Sequence, residues 1–264
     1  LYFIIILAEN STLMFEAAFW GFVSGSAILI GAFLGLYLKI GDKVTATVMA
    51  FGAGVLISAL SIDLMAEAFE KAHDPLTVGL SFLAGAIMFV GGDYLIDSRG
   101  GHFRKHVHGI SEQKKKEEAG NNSGSAILLG TFLDGIPESF VVGASIAAGG
   151  ATGIVFIMAV FLSNLPEGMS GSLGMKMAGM SNRQIMALWT ATVIITVIAS
   201  VCGYIFLGSS PGSLHAATMA FASGAILAML CDTMIPEAFR YGGRAVALVT
   251  VVGFMTAFFL SKLF

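Results

Sequence analysis

The sequence predicts an all-α polytopic membrane protein of eight transmembrane helices, forming one domain over residues 1–264, on three observations. Of its 264 residues 56% are hydrophobic and only 12% charged, and the mean hydropathy of +0.85 is far too high for a water-soluble domain of this length. Apolar runs of about twenty residues recur along the chain, each long enough to cross a hydrocarbon core of about 30 Å. The basic residues, finally, segregate to alternate connections, as cytoplasmic loops require.

The opening LYFIIILA is too short to span and lacks a basic n-region and a small-residue cleavage site. It is expected to be a frayed start or an appended remnant, not a signal peptide. Hydropathy, turn and charge breaks then place helices near 12–38, 44–70, 77–97, 123–148, 152–177, 184–208, 214–239 and 243–263. Small residues spaced as Gly21/Gly25 and Gly31/Gly35 allow helices to approach closely where lipid offers no hydrophobic drive. The connection 98–122 is the one long, charged loop, and it carries His102, His106 and His108. If that loop is cytoplasmic, so are the connections after helices 1, 5 and 7. That side then collects every Lys and Arg except Lys71 and Lys262, with both termini on the outer side. Cys202 and Cys231 lie inside apolar runs and form no CxxC pair, so neither a disulfide scaffold nor a thiolate metal site is expected.

FGAGVLISALSIDLMAEAF at 51–69 aligns without gaps to FASGAILAMLCDTMIPEAF at 221–239. Phe51, Gly54, Leu60, Glu67, Ala68 and Phe69 match Phe221, Gly224, Leu230, Glu237, Ala238 and Phe239, while Met65 and Met234 miss by one position. The two segments fall on helices 2 and 7, which cross in opposite directions. Helices 1–3 and 6–8 are therefore expected to form an inverted repeat around helices 4 and 5, an arrangement typical of transporters with a midplane site. Shared Gly and Ala content is the plainer explanation, and the common Glu-Ala-Phe ending speaks against it.

Ionisable groups inside a membrane usually face a protein interior or a watery path. Helix 4 contains Asp134-Gly-Ile-Pro137-Glu138-Ser, and helix 5 contains Ser163-Asn164-Leu-Pro166-Glu167-Gly. Asp134 and Glu138 are four residues apart and Asn164 and Glu167 three, so each pair shares one helix face. Facing pairs could enclose a cation. Pro137 and Pro166 free the carbonyls of Leu133 and Leu162, which a membrane tolerates only beside a cavity or another polar partner. The opposing explanation is that Pro kinks are common in membrane helices and lone acids can be neutral packing elements. Two such motifs on consecutive helices favour an ion pathway.

These paired Pro-Glu motifs, the long His-containing loop between helices 3 and 4, the eight spans and the outward termini resemble the ZIP family of zinc and iron transporters over essentially the whole chain. The resemblance implies a metal site between helices 4 and 5, with metal moving into the cytoplasm. Carried over residue by residue, that site is Asp134, Glu138, Asn164 and Glu167, with Ser163 a further candidate. Where the family's helix 4 usually reads His-Asn-x-Pro-Glu-Gly, this chain has Asp134, Gly135 and Ser139 in place of the His, Asn and Gly. On helix 5, Ser163 stands where His or Gln is usual. Helix 6 has no acid to bridge a second metal, and Ser200 sits near that position. Hard oxygen donors without imidazole suit manganese, iron(II) or magnesium, whereas the resemblance favours zinc. Zinc is the expected substrate, with iron, manganese or cadmium as alternatives.

Asp63, Asp93 and Asp232 form a weaker pathway set, while Glu67, Asp97 and Glu237 lie near helix ends and are expected to reach water. His102, His106 and His108 could hold metal released to the cytoplasm, although solvated loop histidines are commoner. His73 and His215 lie near the outer surface and carry no assignment. The expected partners are the metal ion and the lipid bilayer of the cell (inner) membrane, with a homodimer open and no nucleic acid. A transport-inactive relative that senses metal or scaffolds other proteins is the alternative. HExxH, GxSxG and a Ser/His/Asp set are absent from the spans, so no enzyme is expected.

Overall fold

The computed structural model describes residues 2–38, 40–72, 74–98, 123–148, 152–177, 179–208 and 210–263, and every regular element among them is helical. We number the helices α1 (Tyr2–Tyr37), α2 (Asp42–Ala72), α3 (Pro75–Asp97), α4 (Ser123–Ala148), α5 (Thr152–Met177), α6 (Asn182–Gly208), α7 (Gly212–Gly242) and α8 (Ala245–Leu263). Seven of them, all but α4, are long and apolar enough to cross a membrane among the described residues. The chain is thus an integral, multi-pass, all-α membrane protein.

Helix boundaries fall within a few residues of those the sequence predicts, with one correction. The opening segment is not frayed: α1 runs without a break from Tyr2. No Gly or Pro interrupts residues 2–20, so the helix runs on through the polar stretch Glu9-Asn-Ser-Thr12 that separates the opening apolar residues from the span. At the start of α3 the chain turns at Asp74, whose carboxylate accepts from the Leu76 and Thr77 amides at 3.1 Å each, with Pro75 pre-set at the first helical position.

α1 packs along α5 and α6, and α4 packs along α6; α2 packs along α8, and α3 along α7. These two groups meet where α2 touches α5 and where α4 touches α7. Glycines set the approach. A Cβ on Gly168 of α5 would lie 2.1 Å from the Ile28 carbonyl oxygen of α1, and one on Gly143 of α4 1.7 Å from the Ser200 carbonyl oxygen of α6. Backbones touch directly there, as helix association in lipid favours.

The second group is built from reciprocal contacts. Gly54 of α2 abuts the Thr250 carbonyl of α8, and Gly253 of α8 abuts that of Phe51. Likewise Gly224 of α7 abuts the Phe82 carbonyl of α3, and Gly85 of α3 abuts that of Phe221. Both α2 and α7 also widen into a π-helical turn, at Ala59–Leu64 and Leu230–Met234. Such turns insert one residue into the ladder and often mark functional segments.

Candidate functional site

Two Pro-interrupted helices, α4 and α5, carry the five residues singled out by the sequence. Asp134 and Glu138 are 5% and 1% exposed, and Ser163 and Asn164 2% and 3%; Glu167 is half-buried. The spacing argument therefore holds in three dimensions, since each pair turns into the protein and away from lipid.

Asn164 is fixed from behind. Its Nδ2 donates to the Ser24 carbonyl of α1 at 3.1 Å, which leaves Oδ1 pointing elsewhere. That oxygen is buried and has no hydrogen-bond partner among the described residues, and neither oxygen of Glu138 has one. Buried polar atoms are nearly always satisfied, and three orphaned acceptor oxygens on the two facing helices are an exception that calls for a positively charged or protic guest. Ser163 satisfies itself locally, its hydroxyl donating to the Val160 carbonyl at 2.9 Å, and its oxygen lone pairs stay available to a cation.

Asp134, Ser163 and Glu167 line one cavity of about 40 Å³ together with Thr131, Ser170, Thr233 and Glu237, and with Met49, Met229 and Met234 as its apolar wall. This volume holds a few waters or a partly hydrated ion. Glu138 and Asn164 are outside that lining. Among the described residues no three His, Cys, Asp or Glu side chains stand together closely enough to hold a metal. A cation here would therefore draw part of its shell from amide, hydroxyl and backbone oxygens, which hard divalent ions accept.

Four polar lining residues, Thr131, Ser170, Thr233 and Glu237, lie outside the set that the sequence singles out. Thr131 lies three residues before Asp134 and Ser170 three after Glu167, so helical spacing could have found both. Glu237, expected to reach water at a helix end, is half-buried, and Ser170 donates to its carboxylate. A second cavity shares Met49, Ser170 and Glu237 with the first and extends to Asp42, Thr45 and Tyr241. Glu237 thus stands between the site and the ends of α2 and α7.

Of the pathway set, Asp63 and Asp93 are buried but do not line the first cavity, and Asp63 lies beside Ser261 and Lys262 at the far end of α8. Asp232, expected at depth, is exposed on the π-helical turn of α7. His102, His106 and His108, together with His73, lie outside the described residues. His215, given no assignment from the sequence, is 4% exposed and contacts Glu67 and Lys71 of α2.

Compared with known protein families and with curated proteins, the chain matches no family model and no curated sequence.

Proposed function

We propose that this protein carries a divalent metal cation across the cell (inner) membrane into the cytoplasm, through a site between α4 and α5, as a divergent relative of the ZIP transporters. The observation that carries the reading is the set of orphaned, buried acceptor oxygens on Glu138 and Asn164, beside a polar cavity lined by Asp134, Ser163 and Glu167. A dehydrating cation would satisfy them, and the Pro-freed carbonyls could complete its shell. Zinc is the first candidate substrate; iron, manganese or cadmium are the alternatives.

In this reading α4 is the eighth span. Its 26 residues extend about 39 Å, enough for the hydrocarbon core. The termini lie outside and the loop 98–122 inside, as the Lys/Arg distribution requires. The inverted repeat of α1–α3 and α6–α8 draws support from the reciprocal glycine contacts and from the paired π-helical turns, which begin at matching Leu60 and Leu230 or one residue before.

The test is uptake by the purified protein in liposomes, with zinc, iron(II), manganese, cadmium and magnesium offered in turn. Uptake of at least one ion is expected, with loss in the Glu138→Ala/Glu167→Ala double variant. A second reading, a transport-inactive metal sensor or scaffold, takes its motive from the replacement of the family's His and Asn by Asp134 and Gly135. Silence of folded wild-type protein toward every ion would favour it.

A further inference from the structure

At the opposite end of the molecule from Asp42, a second polar cluster joins α2 to α7. Three atoms of this cluster form a nearly equilateral triangle. Lys71 Nζ is 2.8 Å from Glu67 Oε1 and 3.1 Å from His215 Nε2, and His215 Nε2 is 3.0 Å from Glu67 Oε1.

The triangle cannot be satisfied at every edge. A protonated Nε2 would donate to Glu67 and confront the ammonium; an unprotonated Nε2 accepts from Lys71 and confronts the carboxylate oxygen. In the second tautomer, a cation bridges one carboxylate oxygen and one imidazole nitrogen. Those two donors are what a divalent transition-metal ion takes. Their spacing suits octahedral coordination: neighbouring ligands about 2.1 Å from such an ion stand about 3.0 Å apart, and a tetrahedral ion would need them to open to about 3.4 Å. The ammonium here is a tethered stand-in for an ion.

The surroundings allow exchange. Lys71 and His215 both line a cavity of about 470 Å³, bounded by Glu70, Ser210 and the ends of α4 and α6 at Ala147 and Gly208. The long Lys71 side chain, about one third exposed, has room to swing into it. Ala147 lies nine residues beyond Glu138 on α4, so the cavity stands about 14 Å along that helix from the site.

We propose that Glu67 and His215 form a capture site for a divalent cation at the outer mouth, and that the ion enters by displacing the Lys71 ammonium. The inference rests on the transport reading for its purpose, but not for its binding chemistry. With the ion absent, Lys71 neutralises the carboxylate and keeps the cluster folded; with the ion bound, the displaced ammonium repels a second cation and keeps the first loosely held.

The experiment uses the full chain and cadmium as the probe. In liposomes, Glu67→Gln and His215→Gln should each raise the half-saturating concentration for uptake about tenfold, with the larger effect there and not on maximal rate. Lys71→Met should lower it severalfold, a gain that a purely structural triad would not give. Equilibrium cadmium binding to the Glu138→Ala/Glu167→Ala protein, with Cys202 and Cys231 changed to Ala and His102, His106 and His108 to Gln to remove competing ligands, isolates the outer site: binding should persist, vanish with His215→Gln added, and tighten with Lys71→Met added. Unchanged or weaker binding in the Lys71 variant overturns the proposal, as does binding indifferent to His215. If wild type takes up no ion, the transport reading falls, and the binding series still decides this one.

Discussion

Asn164 divides its two ends between structure and chemistry. Its amide nitrogen holds the Ser24 carbonyl and its oxygen is left without a partner, so one side chain ties α5 to α1 and aims an acceptor into the interior. Asn164→Ala should weaken apparent metal affinity about tenfold, equivalent to about 1.4 kcal/mol, by concentration-dependent uptake. It should also lower stability by about 1 kcal/mol through the lost hydrogen bond. Asp74 makes a different case, at the water-exposed start of α3. Hydrogen bonds from Thr77 and from the Leu76 and Thr77 amides hold its carboxyl below the usual 3.8. A folded-state value below the unfolded one means that the stabilisation is complete above pH 3.8 and is lost as pH falls through the folded value. Asp74→Ala should therefore lower the melting temperature in detergent by the same margin throughout the neutral range, and the gap should close in acid. At this scale the sequence shows the buried pairs clearly, because helical spacing alone places Asp134 with Glu138 and Asn164 with Glu167. It does not show Glu237 or His215, whose surroundings come from helices far away in the chain. A position near a helix end suggests free access to water, whereas contact with Ser170 of α5 half-buries Glu237 and contact with Glu67 and Lys71 of α2 buries His215.

The helices themselves are legible because a membrane span needs only length and apolarity. The π-helical turns of α2 and α7 are not, since one inserted residue leaves hydropathy unchanged. The insertion does alter how each helix tolerates shortening. Removing one residue from such a turn restores α-helical hydrogen bonding and leaves the distal segment in place. Deletion of Ser61, exposed within the turn, should thus give a folded, monodisperse protein that retains the contact between Glu67 and His215. Deletion of Ala53, in regular α-helix and fully buried, should rotate the rest of α2 by about 100° and abolish folding. Size-exclusion chromatography in detergent separates the two outcomes. The glycine contacts are half visible. Small-residue spacing announces that some helix approaches, but the pairing of Gly54 with Thr250 and of Gly224 with Phe82 depends on partners that no local pattern names.

For the whole molecule, charge segregation makes a prediction independent of metal. In a background carrying Cys202→Ala and Cys231→Ala, a cysteine introduced at Ser111 should react with a membrane-impermeant thiol reagent only from the cytoplasmic side. One introduced at Ser210 should react only from outside. Labelling of both from the same side would overturn the eight-span topology, because the two positions are separated by α4, α5 and α6. Direction is readable because positive charge accumulates on one side of a membrane; the grouping of α1, α4, α5 and α6 apart from α2, α3, α7 and α8 is not, since hydropathy carries no record of which span lies beside which.

The pairing of α2 with α8 also constrains how the protein is made. Gly54 and Phe51 meet Thr250 and Gly253, residues that leave the ribosome almost 200 positions later. At ordinary synthesis rates that interval is roughly 10–40 s. During it the glycine-lined flank of α2 faces lipid or a chaperone that shields it, and truncation anywhere before α8 strands that flank for good. Quality control that recognises an unpaired small-residue groove would have, in α2, a direct reading of whether the last helix has arrived.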